Sequence, residues 1–184
     1  IALSRKITIN SNNQNAIKPR DLKSTNEVQL RLREEFKRVE DGRYELEIKR
    51  GQEKEEDSIL ITNEEAGRLL LAFDLMESDA CHQVYKLFDE KYADIFARPA
   101  VTAHRIIFLH LIMERILLVT PDIMYKPLSK YGLTRFFLLS VISEMMRADE
   151  LMGEYHRNPE KLFQEGKVEQ FLDAVENVLR SVVI

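Results

Sequence analysis

Residues 62–76 read TNEEAGRLLLAFDLM, and this stretch decides the fold class. Thr62-Asn63-Glu64-Glu65 has the capping-box pattern, in which the threonine hydroxyl accepts from an amide three residues on and a glutamate there reaches back. Ala66, Leu69, Leu70, Phe73 and Met76 then recur at helical spacing, which predicts a helix with one apolar face. From this point the period stays helical. It predicts helices near 79–88, 89–97, 101–119, 133–152, 159–165 and 167–183, broken at Pro99, Pro121, Pro127, Gly132 and Asn158-Pro159.

Upstream of Thr62 the pattern is mixed. Ser24-Thr25-Asn26-Glu27 is a second capping box, and Val28, Leu32, Phe36 and Val39 follow it at helical spacing until Asp41-Gly42 ends the run. Tyr44, Leu46 and Ile48 alternate with Arg43, Glu45, Glu47 and Lys49, the period of a half-buried strand. GQEKEEDS (51–58) is a charged loop, and Ile59-Leu60-Ile61 is a short strand able to pair back. The expected fold is therefore mainly α, a bundle-like helical domain with a small β-hairpin insertion near residues 43–61. It divides into 1–61, holding an Asn/Gln-rich turn, a basic helix and the hairpin, and an all-helical part at 62–184.

Composition bounds the function. Apolar residues make up 45% of the 184-residue chain and charged residues 32%, as in a globular protein with a substantial core. The single cysteine, Cys81, rules out an internal disulfide and suits a reducing cytoplasm. The longest apolar run, Ile106 to Val119, is broken by His110, Glu114 and Arg115, too polar and short to span a bilayer, so no membrane partner is expected. The net charge of −4 is unevenly spread: residues 1–38 carry nine Lys/Arg against four Asp/Glu, the rest 18 against 27. Basic residues interleaved with amides suit phosphate and base-edge contacts. They equally suit docking onto an acidic face of the same chain.

The segment ITINSNNQNAIKPRDLKSTNEVQLRLREEF (7–36) sets Ile7 and Ile9 against Asn10, Asn12, Asn13, Gln14 and Asn15, a cluster of side chains that both donate and accept. It resembles the abortive infection phage resistance protein family, through Asn12-Asn13-Gln14-Asn15, Asp21-Leu22 and the Gln-bearing helix Gln29 to Phe36. Tyr44 to Gly51 looks like the family's Tyr-Glu-x-Lys-x-Gly strand with two extra residues. The resemblance continues in Leu70-Leu71-Ala72-Phe73 and in Lys86 to Phe96, so it covers about the first 100 residues. The family's Asn-Asn-Gly-Ile-Thr and Asn-Gly-x-Gln-Thr segments do not occur in this chain. The chain opens on Ile1, and the expectation is that it forms the C-terminal portion of a longer protein.

Two patterns suggest catalysis. Glu47-Ile48-Lys49 on a strand, with Glu45 on the same face, has the acidic-plus-lysine character of metal-dependent nucleases, where carboxylates hold Mg²⁺ and the lysine steadies the reacting phosphate. No upstream strand supplies the partner aspartate, and a solvated strand face is the simpler reading. Arg105 and His110 fit the Arg-x4-His spacing of HEPN-type ribonucleases, with histidine as acid/base and arginine on phosphate. Arg98 and His104 give a second, similar spacing, and a core helix with one satisfied histidine accounts for either. His110 and Glu114 lie one turn apart, but two ligands make no metal site. Cys81 and His82 are adjacent and so diverge on a helix, and no glycine-rich phosphate loop occurs.

The reading favoured is a non-catalytic recognition or assembly module of a phage-defence protein, with no cofactor and no metal. Asn12, Gln14 and Asn15 come to the binding set from the resemblance; Arg20, Arg31 and Arg33 join it from charge placement. Expected partners are the upstream part of the same protein, nucleic acid, and a second copy of the chain. The last alternative would show as a large apolar patch on the last two helices.

Overall fold

The computed structural model describes residues 22–49 and 51–182. Its fold is mainly α with one small sheet. Helix α1 (Glu27–Phe36) leads into strand β1 (Tyr44–Glu47), and an 11-residue connection brings the chain to β2 (Ile59–Thr62), which runs directly into α2 (Asn63–Asp74). Two short helices follow, α3 (Val84–Leu87) and α4 (Tyr92–Phe96), then the long α5 (Ala103–Ile123), α6 (Lys126–Ser129), α7 (Thr134–Ala148), α8 (Glu150–Arg157), α9 (Pro159–Gln164) and α10 (Val168–Val182).

The capping box at Thr62 forms as read: its side chain accepts from the Glu65 amide at 3.0 Å. Thr62→Ala should therefore cost about 1 kcal/mol, measurable as a lowered denaturation midpoint at unchanged slope. Helix α2 is more buried than one apolar face requires. Leu69, Leu70, Leu71, Ala72 and Phe73 are all fully enclosed, so the helix sits at the centre of the core. Gly67 allows a neighbour in close: a Cβ there would stand 3.1 Å from Cζ of Phe96. Met76 falls outside the helix, at a φ of 60° in the turn after Asp74.

Several expected boundaries move, each for a local reason. Helix α1 is capped by Asn26, whose side chain accepts from the Val28 amide at 3.0 Å. Ser24 belongs to the preceding 3₁₀ turn. The helix stops at Phe36, and a 3₁₀ turn at Glu40–Gly42 completes the link. Pro121 does not end α5, which continues to Ile123; the carbonyl that proline leaves unbonded belongs to Leu117, on the exposed side. The single helix expected over 133–152 is two, because the Asp149 side chain accepts from the Met152 amide at 2.8 Å and starts α8.

The β insertion is present, but its pairing is parallel and not a hairpin. Tyr44 faces Ile59, and the register continues to Glu47 opposite Thr62. A hairpin needs only a tight turn, whereas parallel strands need a long crossover, which residues 48–58 provide. Gln52 shapes that crossover: its side-chain amide donates to the Leu46 carbonyl and accepts from the Ile48 amide. Tyr44, Leu46, Ile48 and Ile61 face inward and share one hydrophobic core with Leu32, Phe36, Leu69 and Phe108.

Helix α7 closes the C-terminal end of α2. The Ser140 hydroxyl donates to the Ala72 carbonyl at 2.7 Å and Ser143 to Phe73 at 2.6 Å, while an Arg147 Nη reaches the Asp74 carbonyl at 3.1 Å. The Leu71 carbonyl accepts from the Glu77 amide. All four terminal carbonyls of the helix are thereby satisfied. Ser140, Ser143 and Arg147 lie at i, i+3 and i+7, one polar stripe along the helix. Helix α10 buries Phe171, Leu172, Val175 and Leu179, and Arg115 on α5 reaches Glu169, Asp173 and Glu176 above that seam. No described helix is long and apolar enough to cross a membrane.

Candidate functional site

The strand face holding Glu45, Glu47 and Lys49 is present, with Glu45 and Glu47 half-buried and Lys49 exposed just beyond β1. Glu45 is committed to structure: its carboxylate accepts from the Ser58 hydroxyl and, at 2.8 Å, from the Glu55 amide, tying down the end of the crossover. Among the described residues, no group of three or more His, Cys, Asp or Glu is gathered to hold a metal ion.

Arg105 and His110 both lie on α5, but five residues turn about 140° around a helix. The structure does not bring them together. Arg105 is buried and forks onto Asp74, its Nε 3.0 Å from both carboxylate oxygens, while an Nη donates to the His156 carbonyl at 2.8 Å. His110 lies within 2.8 Å of the Glu65 carboxylate through Nδ1, with its ring edge-on to Tyr44. Each group is held by a partner belonging to the fold.

Of the proposed binding residues, Arg31 and Arg33 are described; Asn12, Gln14, Asn15 and Arg20 lie outside the described residues. Arg31 ties α1 to the start of α5, donating to the Val101 carbonyl at 3.0 Å and to Glu35 at 2.9 Å. Glu35 in turn accepts from the Ala103 amide at 3.0 Å. Arg33 is half-exposed beside Glu34, at 3.9 Å. Gln29, part of the stretch that carries the resemblance, is wholly buried and accepts from Asn63, which also donates to the Ile48 carbonyl. That amide pair joins α1, the crossover and α2 in the interior.

The densest charged constellation was not singled out from sequence. Asp74 is almost fully enclosed, and Arg98 and Arg105 both pair with it. His156 stacks on Phe73 at 4.8 Å between ring centres, and its Nε2 lies 3.2 Å from Arg147 Nε and 3.1 Å from Ser143 Oγ. Burial, then the charges of Arg105 and Arg147, push the His156 pKa down to about 4. Since a guanidinium only donates, Nε2 must be the acceptor, and the neutral ring carries its proton on Nδ1. The spacing Phe73-Asp74 was readable; which arginines converge on it depends on tertiary packing. Cys81 is inert by the same logic: burial raises its thiol to about 12, and its sulfur lies 3.4 Å from the Arg68 carbonyl.

A second feature stands apart from these structural pairs. Arg68 on α2 and Arg135 on α7 both line an open groove. Glu64, Glu65 and Glu114 line one side of it; Tyr131, Leu133 and Phe137 lie along the other. The chain matches no family model, no curated protein and no solved structure.

Proposed function

We propose that this chain is a non-catalytic helical recognition and assembly module of a cytoplasmic phage-defence protein. The observation that carries the reading is where the chemistry-bearing side chains are spent. Glu45 ties down a loop end, Arg105 neutralises a buried aspartate, and His110 is held on Glu65. A general acid or base needs to be free to meet its substrate; Arg105 and His110 are buried on partners of the fold, and Glu45 is held by the crossover. The phage-defence setting rests on the resemblance of the first 100 residues to the abortive infection family. In this reading Asn12, Gln14, Asn15, Arg20 and Arg33 contact nucleic acid or the upstream part of the same protein, and Arg31 fastens the helix that presents Arg33.

Two measurements test it together. Labelled RNA and DNA oligonucleotides incubated with the chain and Mg²⁺ should stay intact, while their anisotropy rises at low salt and falls steeply as salt increases. Replacing Asn12, Gln14 and Asn15 with alanine should leave the melting temperature in place and abolish protection against phage in a plating assay. Cleavage that disappears in Glu47→Gln or His110→Gln would overturn the reading in favour of a nuclease.

A further inference from the structure

We propose that the groove across α2, α6 and α7 docks a peptide segment of another protein, one that carries a carboxylate side chain close to an aliphatic or aromatic one. The inference rests on the reading of the chain as a recognition module and supplies its site and the chemistry of its partner. Three adjoining cavities form the groove. The first, about 310 Å³, lies against Glu64, Glu65 and Glu114 and is closed on one side by Arg68 and Arg135. The second, about 510 Å³, is lined by the same two arginines together with His82 and Tyr131. The third, about 410 Å³, is bounded by Leu128, Tyr131 and Phe137. The first shares Arg68 and Arg135 with the second, and the second shares Tyr131 and Leu133 with the third.

The two arginines are the anchor. Among the described residues Arg135 has no carboxylate or carbonyl partner; its guanidinium rests on the Phe136 ring, 4.8 Å from the centre. Arg68 gives one Nη to Glu64 at 2.9 Å. The Nε of each is enclosed without an acceptor. Arg135 brings an uncompensated positive charge to the second cavity, whose lining holds no carboxylate, and an incoming carboxylate would neutralise it. Both line the first and the second cavity, which places them together.

The neighbouring groups select the class of ligand. Glu64, Glu65 and Glu114 would repel a phosphate dianion or a run of nucleotide phosphates, but tolerate one carboxylate, and they favour a basic residue beside it. At the other end Leu128, Tyr131 and Phe137 are 52%, 62% and 60% exposed, an apolar floor suited to a large side chain. An extended peptide is the ligand that spans all three environments at once.

Selection from a random peptide library displayed on phage, with the chain immobilised, supplies the probes. Enriched peptides should pair Asp or Glu with Leu, Phe, Tyr or Trp. Once labelled, they should bind Arg135→Gln about tenfold or more weakly by anisotropy, since a charged contact is lost. Changing the peptide's acid to its amide should weaken binding to wild type and have little further effect on Arg135→Gln. Phe137→Ser should weaken binding with no change in melting temperature. No enrichment above background, or equal affinity for Arg135→Gln, would overturn the proposal. So would wild type that self-associates without peptide and becomes monomeric as Phe137→Ser, since the groove would then be covered by a second copy. None of these results touches the non-catalytic reading, which falls only if the same preparations cleave oligonucleotides.

Discussion

Asp74→Ala is expected to destabilise the fold by about 3–5 kcal/mol, because it leaves a buried guanidinium without its counter-charge. Asp74 lies at the C-terminal end of α2, where the helix dipole disfavours a carboxylate, and its side chain is only 2% exposed. Arg98 and Arg105 pair with its oxygens. Arg105 has no route to water, with its side chain 6% exposed, whereas Arg98 at 29% can turn outward. Arg98→Met should therefore cost no more than about 1 kcal/mol. The double change Asp74→Leu with Arg105→Met should recover most of the loss, since an apolar pair of similar volume needs no desolvation of charge. Urea denaturation of the three variants and the wild type measures these differences. Equal losses for Asp74→Ala and Arg98→Met would show that burial of Arg105 does not govern the effect.

This node also marks where the sequence stops being legible. Helix α2 could be read directly, because Thr62, Glu65 and the leucine run are local signals and burial only strengthened them. The β insertion could be placed but not paired, since Tyr44-Leu46-Ile48 alternates in the same way whether its partner runs parallel or antiparallel. What decides is the crossover, shaped by Gln52 and by Glu45 holding Ser58, and these are contacts between residues distant on the strand pattern. Asp149 capped a helix inside a run that periodicity reads as continuous, because a single capping side chain leaves the apolar spacing almost unchanged. The same limit applies to the charged groups. Arg105 and His110 matched a spacing, yet spacing along a helix says nothing about Asp74, 31 residues away in sequence, or about Glu65. Arg68 and Arg135 are isolated arginines in the sequence; their meaning comes from lining one groove together, Arg135 without a carboxylate partner among the described residues.

Lowering the pH from 6.5 to 4 should destabilise wild type more than a His156→Phe variant, by at most about 3 kcal/mol. The sign follows from the histidine pKa, about 4 in the folded chain against 6.5 for an unperturbed side chain. Between these values the unfolded chain binds the extra proton and the folded chain does not. The contribution is therefore complete above pH 6.5, fades as pH falls toward 4, and changes no further below that. The groups facing the ring agree with this direction: Arg105, Arg147 and Arg157 oppose its charge, and only Asp74 favours it. Asp74 is already engaged by two arginines, so it does little to stabilise an imidazolium. Phenylalanine at 156 preserves the stack on Phe73 and removes the titration, and Arg147, exposed on α7, can exchange its bond to Nε2 for water. Carboxylates also titrate at the acid end of the range, but equally in both proteins, so the difference between their stability curves isolates the histidine. Parallel curves from pH 7 to 4 would mean that the ring accepts its proton in the folded state, and that Arg147 moves away to let it.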